Sequence, residues 1–180
     1  MSLIGNALVV GANKGIGLGF IKSLVNEEQV INLIATYRST NTSLELLSLE
    51  KSGIKNYCIR YCRKNHIPTI QKTVAQMLID YLIVNSSVFG KQENRLDEIT
   101  YDNLYNVFLA NTMGHILLIQ SLIKNALLSD KKVIMSISSI SASVASYATS
   151  RIYVYKSSKA VLHSLLKNVS LEFKKKDWRF

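Results

Sequence analysis

A glycine-rich turn joins the first apolar run of this chain to its first helical pattern. Ala7-Leu8-Val9-Val10 reads as a short strand, and Gly11-Ala12-Asn13-Lys14-Gly15-Ile16-Gly17 follows at once. Residues 17–25 then form a helix, with Ile16, Phe20, Ile21 and Leu24 at helical spacing. Strand, turn and helix in that order open a parallel arrangement, because parallel strands need a crossover between them. The pattern continues. Strands are predicted at 30–37, 57–61, 81–84 and 133–137, and helices at 44–49, 68–78, 101–126 and 152–174. Pro68, the one proline, suits a first helical position. Strands alternating with helices imply right-handed crossovers and an α/β doubly wound parallel sheet. Ligands of such sheets sit at the carboxyl ends of the strands, near the switch in strand order. With 180 residues and neither repeats nor linkers, one domain over 1–180 is expected.

Composition narrows the class of function. Hydrophobic residues at 48% and charged residues at 19% describe a globular chain. No apolar run is expected to span a bilayer, and the first ten residues lack a basic leader and a cleavage site. A cytoplasmic protein with no membrane partner is therefore expected. The formal charge is +10. Apart from Lys174-Lys175-Lys176 the basic residues are scattered, which favours a bias toward small phosphate-bearing ligands over nucleic acid. Cys58 and Cys62, with His66 four residues on, are too few for a metal site without a fourth ligand and read as free thiols. No metal is expected.

Several residues carry chemistry. The glycines of the 11–17 turn let a backbone approach a pyrophosphate, which the N-terminus of the following helix would bind. Strand 30–37 ends Ala35-Thr36-Tyr37-Arg38, with an arginine where an acidic residue would bind the adenosine ribose. Arg38 and Lys14 suit a 2′-phosphate, so NADP is expected rather than NAD. Near the end of the chain, Tyr155-Lys156-Ser157-Ser158-Lys159 places Tyr155 and Lys159 on one helix face. An ammonium there favours the phenolate, as proton transfer requires. Ser138 or Ser139, just past the fifth strand, is placed to orient a substrate carbonyl. Asn111 lies inside the long helix, with the apolar Leu109 and Ala110 before it.

The ordered set resembles the short-chain dehydrogenase/reductase family over the whole chain, with most similarity to the C-factor and Sniffer-like carbonyl reductases. The residues that carry the resemblance are Gly11 to Gly17, Ala35-Thr36-Tyr37-Arg38, Asn85 after Asp80-Tyr81-Leu82-Ile83-Val84, Asn111-Thr112-Met113-Gly114, Ser138-Ser139 and the Tyr155–Lys159 run. The resemblance implies a Rossmann-type sheet in strand order 3-2-1-4-5 and hydride transfer to a carbonyl from NADPH. It implies Tyr155 as general acid and Lys159 as the residue that binds the nicotinamide ribose. Ser139, before Ser138, would polarise the carbonyl, and Asn111 would hold the water of a proton relay. Gly11, Asn13, Lys14, Gly15, Ile16, Gly17, Arg38 and Asn85, with Tyr155 and Lys159, would bind the cofactor. The substrate would be a small carbonyl or alcohol, and a homo-oligomer would form through the two long helices.

Departures from the family pattern generate further expectations. Asn85-Ser86-Ser87 replaces Asn-Ala-Gly, so the Ser87 side chain is expected to crowd the adenosine ribose. Arg60 or a neighbour stands where the family has an aspartate on the adenine. Residues 175–180 resemble the lead-in to a sixth strand, and the last two family strands are expected to be missing, as in a truncated or split reductase. That leaves the fifth strand as an edge. Two other readings compete. A dinucleotide-binding remnant without catalysis predicts weak NADPH binding, and a basic nucleic-acid or membrane-surface protein explains none of the ordered motifs.

Overall fold

The computed structural model describes residues 5–27, 30–58, 67–75, 77–125 and 127–174. Five strands form one parallel sheet: β1 (Gly5–Val10), β2 (Val30–Tyr37), β3 (Lys55–Cys58), β4 (Ile79–Val84) and β5 (Leu128–Ser136). Their spatial order is β3-β2-β1-β4-β5, as expected. The order reverses between β1 and β4, which places the switch point beside the glycine turn.

Helices cover both faces. They are α1 (Gly15–Leu24), α2 (Leu44–Ser48), α3 (Ile67–Val74), α4 (Tyr101–Phe108), α5 (Gly114–Lys124) and α6 (Tyr153–Glu172). Alternation along β1 divides the core. Leu8 and Val10 point to the face packed by Ile70 and Val74 of α3 and Leu118, Ile119 and Leu122 of α5. Ala7 and Val9 point to the opposite face, against Leu18, Ile21 and Leu24 of α1 and Leu46 of α2. β1, buried on both faces, therefore reads as an unbroken apolar run.

Three elements differ from the sequence reading. The third strand spans Lys55–Cys58 rather than starting at Tyr57, and residues 59–61 lie outside the described ones. β5 begins at Leu128, because its polar start, Ser129-Asp130-Lys131-Lys132, is absorbed by a register shift against β4. The helix expected over 101–126 is interrupted by a π-helical turn at Leu109–Met113, between α4 and α5. That run also corrects an expectation about membranes. By length and apolarity Tyr101–Lys124 is sufficient to cross one, with a mean hydropathy of 1.3. Here Val107, Ala110, Leu118, Ile119 and Leu122 are instead buried in the fold.

Candidate active site

The glycine turn is held by β4. The backbone N–H groups of Asn85 and Ser86 both donate to the Val10 carbonyl, at 2.9 and 3.0 Å. The Asn85 side-chain amide donates to the Gly11 carbonyl at 2.8 Å. Gly11 has φ +80°, and a Cβ there would lie 2.5 Å from the Ser86 Cβ. A Cβ on Gly17 would meet the Gly11 carbonyl oxygen at 2.3 Å. The first turn of α1 is thus pressed against the end of β1. Lys14, extended at φ −163°, opens α1 with no side-chain cap, leaving the N–H groups of the first turn for an anion.

A cleft of about 630 Å³ opens over this turn. That volume lies within the range of small-molecule sites. Gly11, Asn13, Lys14, Gly15, Ile16, Arg38 and Asn85 line it, all named from the sequence, while Gly17 is buried behind it. Asn13 is tied across the cleft, its amide donating to the Thr42 carbonyl at 3.1 Å. Ser87 also lines the cleft, and its hydroxyl donates to Asn111 Oδ1 at 3.1 Å. Sequence reasoning missed Val88, Phe89 and Gly90, which form one side. A tightly packed glycine turn, the uncapped start of α1 and two cations at the rim fit a phosphate-bearing dinucleotide.

Tyr155, Lys159, Ser139 and Asn111 do not line the cleft. Phe89 links the two groups, its ring centroid 4.8 Å from that of Tyr155. Tyr155 stands in the first turn of α6. Ile152 immediately precedes this helix with φ 51°, the one non-glycine residue in the left-handed region among those described. One turn on, Lys159 is 1% exposed. Its Nζ donates to the Ile137 carbonyl at 3.0 Å and lies 5.9 Å from the Tyr155 ring centroid. Burial lowers the Lys159 ammonium from 10.5 to about 8. The Ile137 carbonyl precedes the serine pair. Ser139 Oγ accepts from the Ser141 N–H at 3.1 Å and caps a short turn that packs against α6. Ser138 Oγ is buried with no hydrogen-bond partner among the described residues. Tyr155, Lys159 and the serine segment therefore converge.

Asn111 lies in the π-helical turn and is fully buried. Its Oδ1 accepts from the Val88 N–H at 2.8 Å and from Ser87, and its Nδ2 donates to the Val88 carbonyl at 2.9 Å and to Ser158 Oγ at 3.1 Å. An asparagine amide has two donor and two acceptor positions. All are in use, so this side chain fastens the loop after β4 to α6.

His115, four residues on from Asn111, is a buried titratable group the sequence reading overlooked. Its spacing from Asn111 placed it on the same helix face. Nε2 donates to the Ser86 carbonyl at 2.8 Å, which leaves Nδ1 to accept from Ser136 Oγ at 2.6 Å. Burial first, then the charge of Lys159, holds its pKa down at about 4, against the opposing pull of the Ser86 carbonyl. Between the ordinary value of 6.5 and about 4 the unfolded chain binds a proton that the folded chain refuses. Stability is therefore lost as pH falls through that window. We expect Tm to drop more steeply across it for the wild type than for His115→Asn. Parallel slopes would refute this.

A family model for short chain dehydrogenases matches residues 5–179. The chain belongs to that family. Known relatives of this short chain dehydrogenase agree. An uncharacterized oxidoreductase of Schizosaccharomyces pombe is 27% identical over 171 residues, covering 91% of this chain and 66% of the relative. The chain thus spans just under two thirds of that relative's length. A carbonyl reductase of Pseudomonas aeruginosa PAO1, solved in complex with NADP, superposes with a TM-score of 0.84 at 28% identity, covering 94% of this chain and 77% of that one. Sniffer of Caenorhabditis elegans superposes with a TM-score of 0.86 at 25% identity, covering 97% and 82%. Arg60, Cys62 and His66, weighed above for adenine and metal roles, lie outside the described residues, as do residues 175–180.

Proposed function

We propose that residues 1–180 act as one dinucleotide-binding unit, and that the chain is an NADP-dependent oxidoreductase transferring hydride to a carbonyl with Tyr155 as general acid. The observation that carries this reading is the buried Lys159, fixed on the Ile137 carbonyl behind Tyr155. A desolvated ammonium is seldom placed in a core without a task. Family membership and the NADP complex of the Pseudomonas aeruginosa carbonyl reductase support the cofactor.

The cofactor's phosphates would rest on the glycine turn and the first N–H groups of α1. Lys14 and Arg38 would receive a 2′-phosphate, and Asn85 keeps the turn shaped. When bound, NADPH supplies the hydride. Ser139, or Ser138 in its place, holds the carbonyl oxygen by a hydrogen bond. Tyr155 donates its phenolic proton to that oxygen as negative charge develops. Lys159, charged below about pH 8, stabilises the resulting phenolate and is placed to meet the nicotinamide ribose. Asn111 acts by fixing the Val88 loop against α6. The substrate is a small aldehyde or ketone, or an alcohol in reverse. Exposed Tyr101, Leu104, Tyr105 and Leu117, with Val161 and Leu165 of α6, support a homo-oligomer through the long helices.

The test is consumption of NADPH with a panel of aldehydes and ketones. Absence of turnover across the panel would refute the reading. Cofactor choice has its own measurement. Arg38→Ala should raise the Kd for NADPH about tenfold, the loss of one charge-assisted contact, and leave NADH within about twofold. Equal effects on both cofactors would overturn the assignment of Arg38.

A further inference from the structure

Phe89 is a large aromatic side chain left 48% exposed at the mouth of the cleft, where neither the core nor the phosphate turn requires it. Its ring is tilted 31° to that of Tyr155. The loop that carries it is tightly held. Asn111 clasps both backbone groups of Val88, and Asn103 of α4 does the same to Lys91. Asn103 Oδ1 accepts from the Lys91 N–H at 2.8 Å, and its Nδ2 donates to the Lys91 carbonyl at 3.1 Å. Phe89 and Gly90 are the two residues left between these clasps. Gly90 has φ +77°, and a Cβ there would lie 2.5 Å from Asn103 Oδ1 and 2.4 Å from Val107.

The far end of the loop is fixed as well. Glu93 is 1% exposed, and its Oε1 accepts from the Asn103 amide. Its backbone carbonyl accepts the N–H of Ile152 at 2.7 Å, at the left-handed residue that opens the Tyr155 helix. The same loop is therefore anchored to α4, to the π-helical turn and to the start of α6. The backbone on either side of Phe89 is thus fixed, and its ring stands beside the phenol.

We propose that Phe89 is a specificity-determining residue, an apolar shelf beside Tyr155 that selects carbonyl compounds bearing a flat aromatic substituent, and that Asn103 is the positioning residue that holds it. The proposal rests on the reductase reading above and names the substrate class of that same site. Offset or tilted ring contacts discriminate a flat substituent from a short alkyl one, and a single such contact moves selectivity by about tenfold.

The experiment compares benzaldehyde with propanal, each with NADPH. In Phe89→Ala the ratio of kcat/KM for benzaldehyde to that for propanal should fall about tenfold, and Phe89→Leu should restore part of it. Asn103→Ala should move the ratio in the same direction. A role confined to stability would lower both rates together and leave the ratio alone. Removing the Asn103 amide also strips the buried Glu93 of a partner and can prevent folding; Asn103→Gln, which keeps an amide donor and acceptor on a longer arm, is the second variant. An unchanged ratio in Phe89→Ala overturns the proposal. Saturation-transfer NMR of benzaldehyde binding separates the two readings. If neither these aldehydes nor the wider panel turns over, the reductase reading fails. Loss of benzaldehyde binding in Phe89→Ala still supports the shelf, and unchanged binding overturns it.

Discussion

Tyr155→Phe is expected to lower NADPH-dependent carbonyl reduction by about 10²- to 10⁴-fold, the usual worth of a positioned general acid. The ring is retained, so its contact with Phe89 and the packing of α6 survive, and NADPH should still bind. Only the transferable proton is lost. Lys159 adds a pH signature to the same experiment. Its ammonium, lowered to about 8 by burial, is charged below that pH and neutral above it. The wild-type rate should hold up to about pH 8 and decline above it. A Tyr155→Phe enzyme retaining more than about a tenth of the wild-type rate would remove Tyr155 from the mechanism. The readout is initial rate across pH with a carbonyl substrate in excess.

The second large effect is on stability. Asn111→Ala leaves the Val88 N–H and carbonyl without their side-chain partner, together with Ser87 and Ser158. Buried polar groups stranded in this way cost about 1–3 kcal/mol each, partly recovered where water enters. A net loss of about 3 kcal/mol is expected, at the upper end for single substitutions. For a chain of this size that lowers Tm by about 6–12 °C. Asn111→Asp keeps the acceptor positions but sets a buried, unpaired carboxylate against the Val88 carbonyl and should cost at least as much. A Tm within about 2 °C of wild type in the alanine variant would show that the loop is held by other contacts.

Much of the fold was legible in the chain, and for a physical reason. β1, β2 and β4 are buried on both faces, so they print as short apolar runs, and the glycine turn marks where the sheet meets the first helix. Gly11, Lys14, Arg38, Tyr155 and Lys159 were legible because their chemistry is local to one turn or one helix face. What stayed hidden depends on partners distant in sequence. His115 looks like one residue of an apolar helix until Ser86 and Ser136 are brought to its two nitrogens. Asn111 was placed in the site, but its saturation by Val88, Ser87 and Ser158 is invisible without the fold. Phe89 and Asn103 belong to a loop and a helix face whose meaning comes from Tyr155, more than fifty residues on. The π-helical turn left no mark in periodicity, because five residues cannot separate one helical period from another. β5 began earlier than its apolar residues suggested because a register shift accommodates polar ones.

The π-helical turn at Leu109–Met113 makes chain length, and not only residue identity, a condition for the site. Each residue of an α-helix advances the side chains by about 100°. Loss of one residue between 109 and 113 would let α4 and α5 run together as one regular helix with composition scarcely changed. The wide turn holds one residue more than an α-turn, so α5 would keep its face on the sheet, while the placement of Asn111 against Val88 and Ser158 would be lost. Substitutions on the exposed side of this segment should be borne easily, while an insertion or deletion of a single codon should not. Among descendants of such a chain, this stretch would diverge in spelling and hold constant in length.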